Sequence, residues 1–250
     1  MRVMSVSGAE RPLGREGHRV RSRSIKACDC TILRVANLRR YDLRAGGLTP
    51  EQEREVVTLL EDGALVIYPT DTLYAIGCRA LDGAALARLR EAKGREAAKA
   101  LPVIVADVEQ ARSLASRWPP VVQRLADAFW PGPLTLVIPA APSLPAQLLA
   151  GGDTIALRVP GSEIARALAR VAGPLVSTSA NPAGEPPCVT VDLAVAAFPL
   201  AAVALDAGPL DGAPSTLVDV TGSDEGWRIL RDGRIPRAAI EAALAGAPLS

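Results

Sequence analysis

Histidine is almost missing from this chain: its 250 residues hold one, His18, in a polar, arginine-rich stretch near the N-terminus. A Ser-His-Asp triad is thereby excluded, and acid-base chemistry centred on histidine has no support. Lysine is nearly absent as well, with three residues (Lys26, Lys93 and Lys99) against twenty-five arginines. Aromatics make up only 3% of a chain that is 49% hydrophobic, so the core must be built from Ala, Val, Leu and Ile, which suits an α/β protein better than a β-sandwich. No apolar run reaches the roughly 18 residues of a membrane span, and no apolar signal segment opens the chain, so a soluble cytoplasmic protein is expected. Cys28, Cys30, Cys78 and Cys188 lack the spacing of a zinc site and are read as reduced thiols.

Charge is present but unevenly spread. Residues 1–50 carry a net +7 and residues 51–250 a net −6, a basic tail on an acidic body. Residues 1–30 show Arg, Ser and Gly without hydrophobic periodicity and are expected to be disordered. Residues 31–250 are long enough for one large domain with its own core, with Thr31–Leu38 as a candidate edge strand.

One stretch organises that domain: Gly63–Arg79, reading GALVIYPTDTLYAIGCR. An apolar strand runs into Pro69, expected to end the pairing; Thr70, Asp71 and Thr72 then crowd two hydroxyls and a carboxylate into a turn before the chain becomes apolar again. Polar groups just past a strand of an open α/β sheet suit a small polar ligand, although a self-capped turn would look the same. A second hydroxyl and amide cluster, Ser177-Thr178-Ser179-Ala180-Asn181, ends a strand expected at Leu175–Ser179. Arg158 lies in an apolar strand, where it needs an anionic partner unless alternation turns it outward. Two of the three lysines flank Lys93-Gly94-Arg95-Glu96-Ala97-Ala98-Lys99, a basic loop suited to phosphate.

The remaining punctuation is conventional. Thr49, Pro50 and Gln52 form a capping box for a helix whose buried stripe is Val56, Val57, Leu59 and Leu60. Asp82, Asp107 and Ser162 are N-caps for later helices, Phe129–Thr135 reads as a rigid turn sealed by Trp130, and the Pro/Gly-rich residues 182–190 read as a loop over the site. Further strands are expected at Val203–Asp206, Leu217–Val220 and Arg228–Arg231, and a closing helix at Pro236–Leu244.

Seven stretches, YPTDTLYAIGC, KGREAAKALPVIV, FWPGPLTLVIP, DTIALRVP, STSANPAG, PSTLVDV and ILRDG, together resemble the YrdC-like family of L-threonylcarbamoyladenylate synthases, in the family's order and over about three quarters of the chain. The resemblance implies a single α/β YrdC-like domain over residues 31–250: a twisted open mixed sheet flanked by helices, with a concave basic site. The longer members' extra C-terminal domain is expected to be absent. The implied reaction joins L-threonine, bicarbonate and ATP into L-threonylcarbamoyl-AMP and releases pyrophosphate. The product feeds a threonylcarbamoyl transferase complex that modifies adenosine 37 of tRNAs reading ANN codons. By resemblance, Thr72, Arg158 and Ser215 hold threonine; Lys93, Arg95, Lys99, Thr154, Ser177, Ser179 and Arg231 hold ATP; Tyr74 and Asn181 shape the pocket. No residue is implied as a general acid or base, since positioning and charge neutralisation carry the transfer. Magnesium is expected with the nucleotide, no carboxylate cluster being available to cage it.

Ala75, Glu96, Ala100, Ile104, Pro187 and Asp232 depart from the family's usual residues. They keep open a paralogue with another substrate. The rival of a different class is an RNA-binding module using the basic tail and a concave basic face. A hydrogenase-maturation type of carbamoyl transfer is disfavoured because its accessory segments are missing.

Overall fold

The computed structural model describes residues 38–94, 100–182, 184–222 and 226–246, all within one compact unit, Val35–Ser250. The expected mixed sheet is divided in two. The first has the order β1 (Arg39–Asp42), β9 (Val203–Asp206), β2 (Val66–Pro69), β3 (Tyr74–Gly77), β8 (Thr178–Ser179). The second runs β11 (Arg228–Arg231), β10 (Thr216–Asp219), β5 (Leu134–Pro139), β6 (Thr154–Arg158), β4 (Val103–Ile104), β7 (Leu175–Val176). Both mix parallel and antiparallel pairs.

The apolar run at 64–68 has a simple cause: β2, β3 and β9 in the middle of the first sheet are buried on both faces, so alternation disappears. Ile67, Tyr74 and Ile76 join the core cluster that contains Leu134, Leu136 and Leu157 of the second sheet. Val66, Tyr68 and Ala75 face the other way, onto Val56 and Leu60 of helix α1 (Pro50–Glu61) and Leu168 of α6 (Glu163–Ala172). Helix α1 starts as its residues dictate, with the Thr49 hydroxyl accepting from Gln52 N and the Gln52 side chain accepting from Thr49 N. Of its expected stripe, Val56 and Leu60 are buried and Val57 and Leu59 are half-buried. Asp82, Asp107 and Ser162 cap α2 (Gly83–Ala92), α3 (Val108–Ser113) and α6 as expected. Helix α4 (Pro120–Phe129), the short α5 (Ala146–Leu149), α7 (Val191–Ala197) and α8 (Arg237–Leu244) complete the order.

Two local features shape the site. Pro69 closes β2 as expected, in register with Tyr74, so Thr70–Leu73 is the loop of a tight hairpin. The strand expected over Leu175–Ser179 is broken at Ser177: β7 pairs with β4 in the second sheet and β8 with β3 in the first. The chain thus changes sheets at one serine, and the hydroxyl cluster is carried into the space between them. Gly77 permits this crossing, since a Cβ there would lie 1.8 Å from the Val176 carbonyl oxygen. The expected edge strand over residues 31–38 lies outside the described residues except Leu38; the observed edge is β1.

Candidate active site

A cavity of about 600 Å³ opens where the sheets meet. Its floor is one face of the second sheet. Alternation places Thr135 and Val137 of β5, Thr154, Ala156 and Arg158 of β6, and Leu217 of β10 on this face. The intervening Leu134, Leu136, Ile155, Leu157 and Val218 point into the core behind it. The β2–β3 hairpin loop and the residues around Ser177 supply the opposite wall.

The hairpin loop holds itself rigid. Thr70 Oγ1 accepts from Thr72 N and Leu73 N and donates to the Leu73 carbonyl at 2.7 Å. With that proton committed, Thr72 is the donor in its 2.9 Å contact with Thr70 Oγ1. Thr72 Oγ1 in turn accepts from Arg158 Nη1 at 3.2 Å. A threonine hydroxyl with its proton directed backwards presents a lone pair forwards, so Thr72 offers the cavity an acceptor.

Arg158 is buried and points inward, which resolves its orientation: Nη2 donates to Asp71 Oδ1 at 2.6 Å and Nε to the Gly132 carbonyl at 2.8 Å. Burial lowers the pKa of this guanidinium from its ordinary value, and the adjacent Asp71 carboxylate acts in the opposite direction. Across the floor, Arg231 Nε and Nη2 donate to the Ser215 carbonyl at 3.2 and 2.9 Å, and Nη2 also donates to Ser215 Oγ at 3.0 Å. Burial lowers the Arg231 pKa as well. Ser215 Oγ lies 2.9 Å from Thr135 Oγ1. Gly233 makes this corner possible: a Cβ there would lie 2.4 Å from Ser215 C and Thr216 N. Tyr74 spans the hairpin end, its hydroxyl donating to the Gly208 carbonyl at 2.7 Å and accepting from Ala207 N, and burial raises its pKa. Asn181 Nδ2 donates to the Pro182 and Glu185 carbonyls, while its Oδ1 is buried with no hydrogen-bond partner among the described residues.

Nine expected site residues therefore line one cavity: Thr72, Tyr74, Thr154, Arg158, Ser177, Ser179, Asn181, Ser215 and Arg231. Lys93 is placed otherwise. It is the C-cap of α2, it is buried, and its Nζ donates to the Ser179 and Asn181 carbonyls at 2.7 Å each, 5.2 Å above the Phe198 ring. Its ammonium braces the segment that carries Ser179 and Asn181, and Lys93 is not among the residues that line the cavity. Arg95 and Lys99 lie outside the described residues. The expected loop over the site contributes Pro187 to the wall, and Ala75, Ala100 and Ile104 also line it; the exposed Asp232 does not.

Sequence reading missed Thr135, although it is the one polar residue in the strand LTLVIP. It marked Thr70 and Asp71 as part of the polar turn but did not pair Asp71 with Arg158, 87 residues away, since only the fold brings the two together. Trp130 does seal its turn: it is buried and its Nε1 donates to the Leu134 carbonyl.

No carboxylate is among the described residues lining the cavity, and no group of three or more His, Cys, Asp or Glu side chains is gathered among the described residues. Hydroxyls, one amide and two guanidinium groups are donors suited to a small anionic ligand. The family model Sua5_yciO_yrdC, described as "Telomere recombination", matches residues 58–233, and the chain belongs to this family. It is 38% identical over 187 residues to the threonylcarbamoyl-AMP synthase of Pyrococcus abyssi, covering 73% of this chain and 54% of that protein. To the threonylcarbamoyl-AMP synthase of Chromohalobacter salexigens it is 38% identical over 180 residues, covering 70% and 96% respectively. The crystal structure of P. abyssi Sua5 complexed with L-threonine superposes with a TM-score of 0.76 at 33% identity, over 82% of this chain and 60% of that one. The chain thus spans somewhat over half the length of the archaeal relative and nearly all of the bacterial one.

Proposed function

We propose that this protein condenses L-threonine, bicarbonate and ATP into L-threonylcarbamoyl-AMP with release of pyrophosphate. The observation that carries the reading is that Thr72 with Arg158 and Ser215 with Arg231 line a single cavity.

Arg158, with three of its donors committed to Gly132, Thr72 and Asp71, has N–H groups left for the threonine carboxylate. Thr72 Oγ1, held as an acceptor, accepts a hydrogen bond from the threonine amine. That places the amine nitrogen in the cavity with its lone pair available once the ammonium has given its extra proton to solvent. It attacks the carbon of bicarbonate; water leaves and a carbamate remains. A carbamate oxygen then attacks the α-phosphorus of ATP in line, the bond to the β-phosphate oxygen breaks, and pyrophosphate departs with its electron pair. Arg231, Ser177, Ser179 and Thr154 are the groups that face the nucleotide's phosphates, and Arg231 is held in place by the Ser215 carbonyl. Arg95 and Lys99 belong to this phosphate set by resemblance. The cavity donors suit phosphate oxygens, so magnesium enters as part of the nucleotide substrate, neutralising charge that the protein does not.

The product is a mixed carbamic-phosphoric anhydride, short-lived in water. A transferase that passes the threonylcarbamoyl group to a nucleophilic amine must consume it, and the tRNA-modifying complex implied by the family resemblance is that partner. No helix among the described residues is long and apolar enough to cross a membrane, and the cytoplasm is the compartment proposed. The test is pyrophosphate release with ATP, threonine and bicarbonate, each omitted in turn. Release that needs all three supports the reading. Turnover indifferent to threonine or bicarbonate, or salt-sensitive RNA binding without turnover, overturns it.

A further inference from the structure

Leu230 is out of place by ordinary strand rules. It is a large apolar side chain, 48% exposed, on an edge strand, and it lines the cavity together with its immediate neighbour Arg231. Successive residues of a regular strand face opposite sides of the sheet, so neighbours reach one cavity together only at a strand end, at the cavity's rim or where the register is broken. The register explains the exception. Leu217 pairs with Arg231 but Val218 pairs with Ile229, which leaves Leu230 as an extra, unpaired residue on β11. This is a β-bulge, and its effect is to turn Leu230 to the same side as Arg231 while Ile229 stays packed against the core. Leu217, on the neighbouring strand and directly opposite Arg231, also lines the cavity and extends the apolar surface beneath Leu230.

Of the three substrates in the proposed reaction, threonine and bicarbonate are small, with a single methyl group between them, and the cavity's hydroxyl and guanidinium groups account for their polar atoms. Only ATP carries a large flat apolar face. Arg231, next in the chain, points at the phosphates. The geometry points to Leu230 as a specificity-determining residue whose side chain, presented by the bulge, forms one wall of the nucleobase subsite. An exposed leucine beside an anion-binding arginine is then explained: the base covers the leucine when the phosphates reach the arginine.

This inference rests on the proposed function, and its test separates the two. Leu230→Ser and the conservative Leu230→Met are compared with the unaltered protein in steady-state kinetics, varying ATP and threonine separately, with inorganic tripolyphosphate as a competitor that has phosphates but no base. Losing the apolar contact should raise KM for ATP about tenfold in Leu230→Ser. The threonine KM, kcat and tripolyphosphate inhibition should stay within about twofold, and Leu230→Met should match the unaltered protein. An unchanged ATP KM in Leu230→Ser, or an equal weakening of tripolyphosphate, overturns the base subsite. If the unaltered protein shows no turnover, the functional reading fails and the subsite is judged by equilibrium binding of AMP. Weaker AMP binding in Leu230→Ser with unchanged tripolyphosphate binding supports it, and equal AMP binding in both proteins overturns it. Melting temperature checks that the exposed substitution leaves the fold intact.

Discussion

Removing the Asp71 carboxylate tests how Arg158 is kept in the cavity. The Arg158 side chain is 8% exposed and that of Asp71 21%, with 2.6 Å between Nη2 and Oδ1. Deleting one partner of a buried pair costs about 3–5 kcal/mol, because the other charge is left desolvated and uncompensated. The partial exposure of Asp71 scales that down to about 2–4 kcal/mol for Asp71→Ala. Asp71→Asn keeps an oxygen acceptor in place and exchanges a charged hydrogen bond for a neutral one, a loss of about 1–2 kcal/mol. Urea unfolding measures both, with an unchanged m-value confirming that stability alone has moved. Activity should follow the same order. Gly132 and Thr72 still hold the guanidinium in Asp71→Asn, so the threonine KM should rise only severalfold; in Asp71→Ala the head group loses its strongest anchor and KM should rise more than about tenfold. Asp71→Ala unfolding within about 0.5 kcal/mol of the unaltered protein, with an unchanged threonine KM, would refute the reasoning.

Other expectations follow from the same geometry. Lys93→Met should lower stability by about 2–4 kcal/mol, since two charged hydrogen bonds to the Ser179 and Asn181 carbonyls are lost together; an unfolding curve that does not shift would return Lys93 to the role of a surface cation. Gly233→Ala forces a Cβ against the Ser215 and Thr216 backbone, and a stability loss of more than about 2 kcal/mol with impaired turnover is expected in urea unfolding and activity assays. Burial raises the pKa values of Asp206 and Asp219, but hydrogen bonds from Arg40 and Gly208 N at Asp206, and from Thr221 and Arg228 at Asp219, win, so both end below the usual carboxylate range. Their contribution is present above about pH 4 and disappears as pH falls through the lower folded-state values. Urea unfolding between pH 7 and pH 3 should therefore show a steeper loss in the unaltered protein than in Asp206→Asn. Burial pushes the Cys78 thiol up to about 12, so iodoacetamide at pH 8 should label it only after urea is added, as peptide mass mapping would show.

Much of the fold was legible because local rules and tertiary context agree. The Thr49 capping box, the Asp82 and Ser162 caps, and the strands at Val203–Asp206 and Arg228–Arg231 lie where residue type puts them. The sheet change at Ser177 was not legible, because nothing in LVSTSAN says that two residues pair with β4 and the next two with β3. Partner choice of that kind is set by packing across the molecule. The site was legible as a set of motifs, and the structure gathers nine of those residues around one cavity. Lys93 stood out in the composition, but its contacts did not: only the fold shows it buried, with its ammonium between a helix end and the Ser179 and Asn181 carbonyls. The bulge at Leu230 was hidden for the same reason as the sheet change, since register belongs to a pair of strands and not to either one.

The measurement that tests the central claim most directly is mass spectrometry of the nucleotide product formed from carbon-13 bicarbonate, threonine and magnesium ATP. The account predicts an adenylate that contains both threonine and the labelled carbon, formed together with pyrophosphate and lost in Arg158→Met. An unlabelled threonyl adenylate, or ADP and phosphate formed regardless of threonine, would contradict it.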